Sequence, residues 1–203
     1  RLGRAWQLGK RPGWLYDVGV RGKPHTFGSI SDQVSDPTNT RAVKAWVDSQ
    51  YDPAVTWADI AWLRGIWQGK LVIKGILEAD DARAALDAGA DGVVISNHGG
   101  RQLDSVASTI SKLPAVIEAV GGRLEVFMDG GVRGGMDVFK AVALGATGVL
   151  IGRPWAWAIA GRGEAGLVDL LATFKRELAV AMALTGARSI SEVHRGLIEW
   201  ERI

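Results

Sequence analysis

Cysteine is absent from the 203 residues, so disulfide bonds and thiolate metal centres are excluded. Histidine is nearly as scarce: three residues, His25, His98 and His194, stand too far apart in sequence to suggest a zinc site, and no metal is expected. No apolar run approaches the roughly 20 residues that a membrane-spanning helix needs. The opening RLGRAWQLGKRPG lacks the apolar core of a signal peptide. Only six prolines accompany 27 glycines, which points to many tight turns between regular elements rather than to a stiff or disordered linker. What remains is ordinary globular composition, 47% hydrophobic and 23% charged. The first residue is Arg rather than Met, which reads as a fragment or a processed product, and the short tail HRGLIEWERI raises the same expectation at the other end.

The formal net charge of +2 is unevenly spread. Arg1, Arg4, Lys10, Arg11, Arg21 and Lys23 face only Asp17 in the first 25 residues, with Trp6, Trp14 and Tyr16 among them. A solvated basic loop and a segment lying on an anionic membrane surface both fit that composition. The stretch carries no nucleic-acid-binding motif, and no nucleic acid partner is expected.

From residue 70 the pattern becomes regular. KLVIKG (70–75), DGVVISN (91–97), LEVFMDGG (124–131) and TGVLIGR (147–153) read as short apolar strands. Between them lie helical stretches, EADDARAALDAGA with acidic residues in its first turn, Thr109 to Val120, and MDVFKAVALGA. A long helix is expected from about Ala165 to Leu184. An internal repeat supports the alternation: DAGADGVVIS (87–96) matches ALGATGVLIG (143–152), 56 residues on, with a glycine after the helix in both. Strands alternating with helices imply an α/β fold with a parallel sheet, and the short units suit a (β/α)8 TIM barrel. Four units are visible, so the chain is expected to cover the C-terminal half of such a barrel, strands 5 to 8 with their helices. Residues 1–56 lack the alternation: 10–29 are rich in turn formers, and two helices are expected near 40 and 57, capped by Asn39 or Thr40 and by Thr56. The expected division is therefore a basic, Trp-containing connection with a helix over 1–56 and the half-barrel over 57–203. Trp57, Trp62 and Trp67, at near-helical spacing, are expected to be core.

In a βα barrel the site lies where the strands end at their C-termini. Those ends carry Lys74; Ser96 with His98 and Arg101; Asp129 with Arg133; and Gly152 with Arg153, four cations and a histidine around one rim. DGGVRGG and IGRPW are the loops of the last two units, where such barrels bind phosphate through glycine NH groups, a helix N-terminus and an arginine. Gly130, Gly131, Gly152 and Arg153 fit a phosphate monoester. Arginine grips a carboxylate through two parallel hydrogen bonds, and an imidazole can take a proton at physiological pH. His98 beside Arg101 therefore points to chemistry on the carbon next to a carboxylate, with Lys74 able to stabilise negative charge developing on a cofactor.

IKGI, SNHGGRQLD, DGGVRGG and ALGATGVLIGRP together resemble the flavin-dependent L-2-hydroxy acid dehydrogenase and oxidase family, from about Pro12 to Ser191. Within it, WLYDVGVRGKPHTFGSIS and MALTGARSISEV are most similar to the bacterial respiratory L-lactate dehydrogenases. The resemblance implies an FMN-binding barrel with His98 as catalytic base and Arg101 as the clamp on the substrate carboxylate. Lys74 is implied at the pyrimidine end of the flavin and Ser96 near the ring, with Asp129, Gly130, Gly131, Arg133, Gly152 and Arg153 around ribityl and phosphate. The substrate implied is a small L-2-hydroxy acid, L-lactate oxidised to pyruvate, with electrons passing to a membrane quinone or another respiratory acceptor. A dioxygen-using oxidase and a mandelate-type dehydrogenase are the alternatives within the family, and an inactive half-barrel is the alternative outside catalysis. Further FMN contacts, tyrosines and an aspartate that orients the histidine belong to the family's first four strands, which this sequence lacks. Gly134 stands where relatives often carry a second polar residue, which is expected to loosen that loop. The resemblance also implies peripheral attachment to the cytoplasmic side of the inner membrane through residues 1–40, and a homo-oligomer.

Overall fold

The computed structural model describes residues 2–199. Arg1 of the basic segment and residues 200–203 of the tail lie outside the described residues. The chain divides into two units, Arg1–Val55 and Thr56–Ile203.

The first unit holds α1 (Leu2–Gly9), α2 (Pro12–Tyr16) and α3 (Thr40–Gln50). The stretch expected to be only turns instead begins helical, because Pro12 pre-sets the first turn of α2, which runs on into a wider helical turn over Asp17–Arg21. The Lys10 ammonium lies 3.3 Å from the centre of the Trp6 ring. The Asn39 side chain accepts from the Arg41 N–H and caps α3, leaving Thr40 as its first residue.

The second unit opens with α4 (Trp57–Ile66), started by the expected capping box: the Thr56 N–H donates to the Asp59 carboxylate at 2.7 Å. Four βα steps follow. β1 (Val72–Ile76), α5 (Ala79–Asp87), β2 (Gly92–Ile95), α6 (Thr109–Val120), β3 (Glu125–Met128), α7 (Gly135–Ala143), β4 (Gly148–Val149) and α8 (Arg153–Thr185) alternate along the chain. The strands form one parallel sheet in the order β1-β2-β3-β4, each neighbour one unit further on, the local architecture of a partial α/β barrel. β2 is buried along its whole length, and Val93, Ile95, Val126 and Met128 pack with Ala82, Ala85, Leu113, Val116 and Val120 from α5 and α6. Gly89 and Gly145, the repeat's two glycines, both leave their helices in the left-handed region, at φ 85° and 104°.

Three expectations need correction. β4 is only two residues long; one further bond, Leu150 N–H to the Met128 carbonyl, extends the pairing before Gly152 and Pro154 turn the chain into a helix. α8 therefore starts at Arg153 rather than near Ala165, and it is broken at Arg162 and Gly163, where the backbone leaves helical geometry. Of the three tryptophans only Trp57 packs on the core; Trp62 and Trp67 are 67% and 53% exposed, since the half-buried stripe of α4 runs through Trp57, Ile60, Leu63 and Arg64, Trp62 lies off it and Trp67 follows the helix.

At the far end of the sheet from the strand C-termini, the Asp91 carboxylate accepts from the Leu71 N–H at 2.8 Å, from Lys70 at 3.2 Å and from Arg64 at 3.1 Å, tying α4 to the starts of β1 and β2. The Leu71 N–H above all, then the Lys70 ammonium, hold this carboxyl below the usual carboxylate range. A depressed carboxylate stabilises the folded state above its unfolded pKa of about 3.9 and loses that contribution as pH falls through the lower folded value. We expect Asp91→Asn to lower the melting temperature at neutral pH, with the gap to the parent protein closing towards pH 3. Melting curves across pH check this, and a gap independent of pH would contradict it.

Candidate active site

The four strands end on one side, and the loops leaving them enclose a cavity of about 490 Å³. Lys74 is the middle residue of β1 rather than its end, since the strand runs on to Ile76; its Nζ stands 2.7 Å from Asp129 Oδ2, just after β3, and donates to Ser96 Oγ at 2.9 Å. Ser96 is 1% exposed and also accepts the His98 N–H at 3.1 Å. It thus lies beneath the lining on the Lys74 face of the sheet, covered by Lys74 on one side and the His98 backbone on the other.

After β2 the chain turns through three consecutive left-handed residues, His98, Gly99 and Gly100, with φ of 52°, 68° and 68°. A histidine held there carries backbone strain that the surroundings must sustain. The Asn97 side chain supports the turn, accepting from the Gly99 N–H at 3.0 Å and donating to the Ala107 carbonyl at 3.3 Å. From the loop after β4, the Arg153 guanidinium donates to the Gly99 carbonyl, so two loops 54 positions apart are joined. A side chain at Gly99 would run into that guanidinium, its Cβ 2.7 Å from Nη2.

The loop after β3 is held from below. The Thr109 hydroxyl, 2% exposed at the start of α6, donates to the Asp129 carbonyl at 2.6 Å, with the Gly130 carbonyl at 3.2 Å. The Asp137 carboxylate accepts the Arg133 N–H at 2.8 Å. Gly134 does not loosen this loop. Its hydrogen makes room for the Glu177 carboxylate of α8, which accepts the Gly135 N–H at 2.7 Å.

Of the residues singled out in the sequence, Lys74, His98, Arg101, Asp129, Gly130, Gly131, Arg133, Gly152 and Arg153 all line the one cavity, while Ser96 lies beneath the lining. Sequence reasoning passed over Val132, Leu150, Ile151, Pro154, Trp155 and Ala156, which complete the lining with apolar surface. In IGRPW the apolar residues beside the glycine and arginine are the available signal.

Whether this cavity suits a flavin phosphate can be tested on its own atoms. Gly131 and Gly152 have open space where a Cβ would stand, Arg133 and Arg153 supply positive charge, and the α8 N-terminus begins at Gly152. Asp129 Oδ1 is buried and, among the described residues, has no hydrogen-bond partner, so it awaits a donor such as a hydroxyl group. Those features fit a polyhydroxylated phosphate monoester.

Comparison with known proteins agrees. The FMN-dependent dehydrogenase profile matches residues 1–200. L-lactate dehydrogenase of Pseudomonas entomophila is 50% identical over 194 residues, 96% of this chain and 51% of that protein. L-lactate dehydrogenase of Caulobacter vibrioides is 49% identical over 195 residues, with 96% and 51% covered. Among solved structures, a mandelate oxidase variant with a monooxide FMN adduct is 47% identical, with a TM-score of 0.67 over 70% of this chain and 45% of that one. The same oxidase variant has been solved with (S)-mandelic acid, at the same identity and TM-score. A parallel βα-barrel segment whose strand-end loops bring two glycine–arginine turns and a histidine–arginine turn to one cavity is the class of structure these observations define. The chain belongs to the FMN-dependent dehydrogenase family. It spans about half the length of the curated relatives it matches.

Proposed function

We propose that this chain supplies the catalytic base, substrate clamp and phosphate cradle of an enzyme that oxidises an L-2-hydroxy acid, L-lactate to pyruvate, using FMN. The observation that carries this reading is that His98 and Arg101 line the same cavity as the Lys74–Asp129 pair and both glycine–arginine loops. Arg133 and Arg153, with Gly130, Gly131 and Gly152, would hold the FMN phosphate, and Asp129 Oδ1 would be free to accept from a cofactor hydroxyl. FMN, when bound, supplies a two-electron acceptor. Arg101 pairs with the substrate carboxylate and fixes the carbinol carbon. Oxidation removes two electrons and two protons from that carbon and its hydroxyl. His98 takes one of those protons, its imidazole serving equally whether that proton leaves carbon or oxygen, and the other would leave with the electron pair to the flavin. Lys74, its ammonium placed by Asp129 and Ser96, would offset negative charge on the bound cofactor.

Visible spectra of the purified protein before and after anaerobic L-lactate test this. Flavin bands that bleach with L-lactate and persist with D-lactate are expected; a colourless protein in flavin-supplemented medium would count against the assignment. The 47% identity to mandelate oxidase favours a second reading, a larger 2-hydroxy acid. Faster bleaching by (S)-mandelate than by L-lactate would select it.

We also propose peripheral attachment to the cytoplasmic side of the inner membrane through residues 1–40, a membrane quinone as electron acceptor rather than dioxygen, and a homo-oligomer. The membrane attachment is supported by composition and exposure, Trp6 and Tyr16 being 65% and 57% exposed beside Lys10, Arg11 and Arg21, whereas the acceptor and the homo-oligomer rest on the family resemblance alone. Among the described residues no helix is long and apolar enough to cross a membrane. Such a segment gains about 1 kcal/mol per basic residue at an anionic surface and is screened at about 1 M salt. We expect the protein to pellet with phosphatidylglycerol vesicles at low salt, to be released by high salt, and to ignore neutral vesicles. Absence of salt-sensitive pelleting would remove the membrane reading.

A further inference from the structure

We propose that Gly75 is a positioning residue: the irregularity it permits in β1 sets where the His98 imidazole stands. This rests on the reading of His98 as the base.

Gly75 sits inside a strand at φ 108°, a backbone region that side chains disfavour. The pairing of β1 with β2 changes register there: Lys74 faces Val94, Ile76 faces Ile95, and Gly75 has no partner. A bulge next to a reacting group re-aims what surrounds it. Lys74, just before the bulge, reaches Ser96 and Asp129. At the bulge itself, a Cβ would stand 3.1 Å from His98 Cε1 and 4.0 Å from Nε2. Cε1 is the carbon between the two ring nitrogens, so pressure on it displaces both proton-accepting positions. The backbone cannot give way easily, because His98 is already held at φ 52° and its N–H is tied to Ser96. The hydrogen at position 75 is what leaves the ring its slot.

Gly145 provides a matched control. It has nearly the same φ, 104°, and a Cβ there would stand 3.1 Å from Ile117 Cγ2, an α6 side chain outside the cavity lining. Alanine at either position carries comparable backbone strain and crowding, but only one meets the histidine. In the flavin-loaded protein we expect both variants to lose similar thermal stability. Only Gly75→Ala lowers kcat, by about tenfold, less than the roughly 10²-fold that a full 1 Å misplacement costs, because a 3.1 Å contact asks the ring to give by only a fraction of an ångström. Its FMN content and the dissociation constant of oxalate, a carboxylate held by Arg101 without turnover, stay at parent values. The Cε1 proton resonance of His98 shifts in Gly75→Ala and not in Gly145→Ala. Should Gly75→Ala fail to accumulate folded, Gly75→Asn brings the same Cβ on a residue more tolerant of positive φ, and the same kcat loss is expected. Equal kcat in the Gly75 and Gly145 variants, with an unmoved resonance, overturns the inference. Retained turnover in His98→Gln would instead overturn the functional reading beneath it.

Discussion

Replacing His98 by glutamine leaves a yellow protein that binds its hydroxy acid and scarcely oxidises it. A positioned general base contributes 10² to 10⁴-fold, and kcat is expected to fall within that range. Glutamine keeps a hydrogen-bonding side chain of similar reach but cannot accept the proton. The backbone role of position 98 survives, because the bond to Ser96 comes from the His98 N–H rather than from the ring. Cofactor loading is expected to survive too, since the charges proposed to face a flavin phosphate are on Arg133 and Arg153 and the Lys74–Asp129 pair lies on other strands. Arg101 keeps the substrate carboxylate, so an inert carboxylate such as oxalate binds as before. The variant thus separates binding from proton transfer. Turnover within tenfold of the parent would show that the proton leaves to another group.

The parts of this site that could be read in the sequence are those in which neighbouring residues do neighbouring jobs. His98 and Arg101 share one loop, Gly130, Gly131 and Arg133 another, and the parallel-sheet alternation puts the ends of all four strands on one side. Knowing only that a strand ends at a given residue was enough to bring distant loops to one rim. What escaped was the contact between such residues. Thr109 reaches the Asp129 carbonyl from 20 positions away, Glu177 reaches Gly135 from 42, and Arg153 reaches Gly99 from 54. No local pattern encodes those distances. The Gly75 bulge was hidden differently, because IKGI reads as an ordinary strand and a glycine there signals only that something is close. Ser96 illustrates the limit of strand-end reasoning: a position at the end of a strand does not decide whether a side chain is open to the cavity or covered by its neighbours, here Lys74.

The second large effect concerns the two arginines and distinguishes FMN from its unphosphorylated parent. We expect apoprotein of the double variant Arg133→Ala/Arg153→Ala to bind FMN no better than riboflavin, whereas the parent protein prefers FMN strongly. A hydrogen bond to a charged group is worth about 1.5 to 3 kcal/mol, so each arginine accounts for roughly 10 to 100-fold in affinity and the pair for about 10² to 10⁴-fold. Riboflavin carries no phosphate and should bind the double variant and the parent alike, which fluorescence titration measures directly. The single variants should not be equivalent. Arg133 lines the cavity from the β3 loop, while Arg153 also holds the Gly99 carbonyl. Loss of Arg153 therefore releases the turn that carries His98, and Arg153→Ala should lower kcat even at saturating FMN, where Arg133→Ala should not. An equal fall in riboflavin and FMN affinity would mean that the arginines shape the cavity rather than bind the phosphate, and the cradle would then have to be sought at the glycine N–H groups and the α8 N-terminus alone.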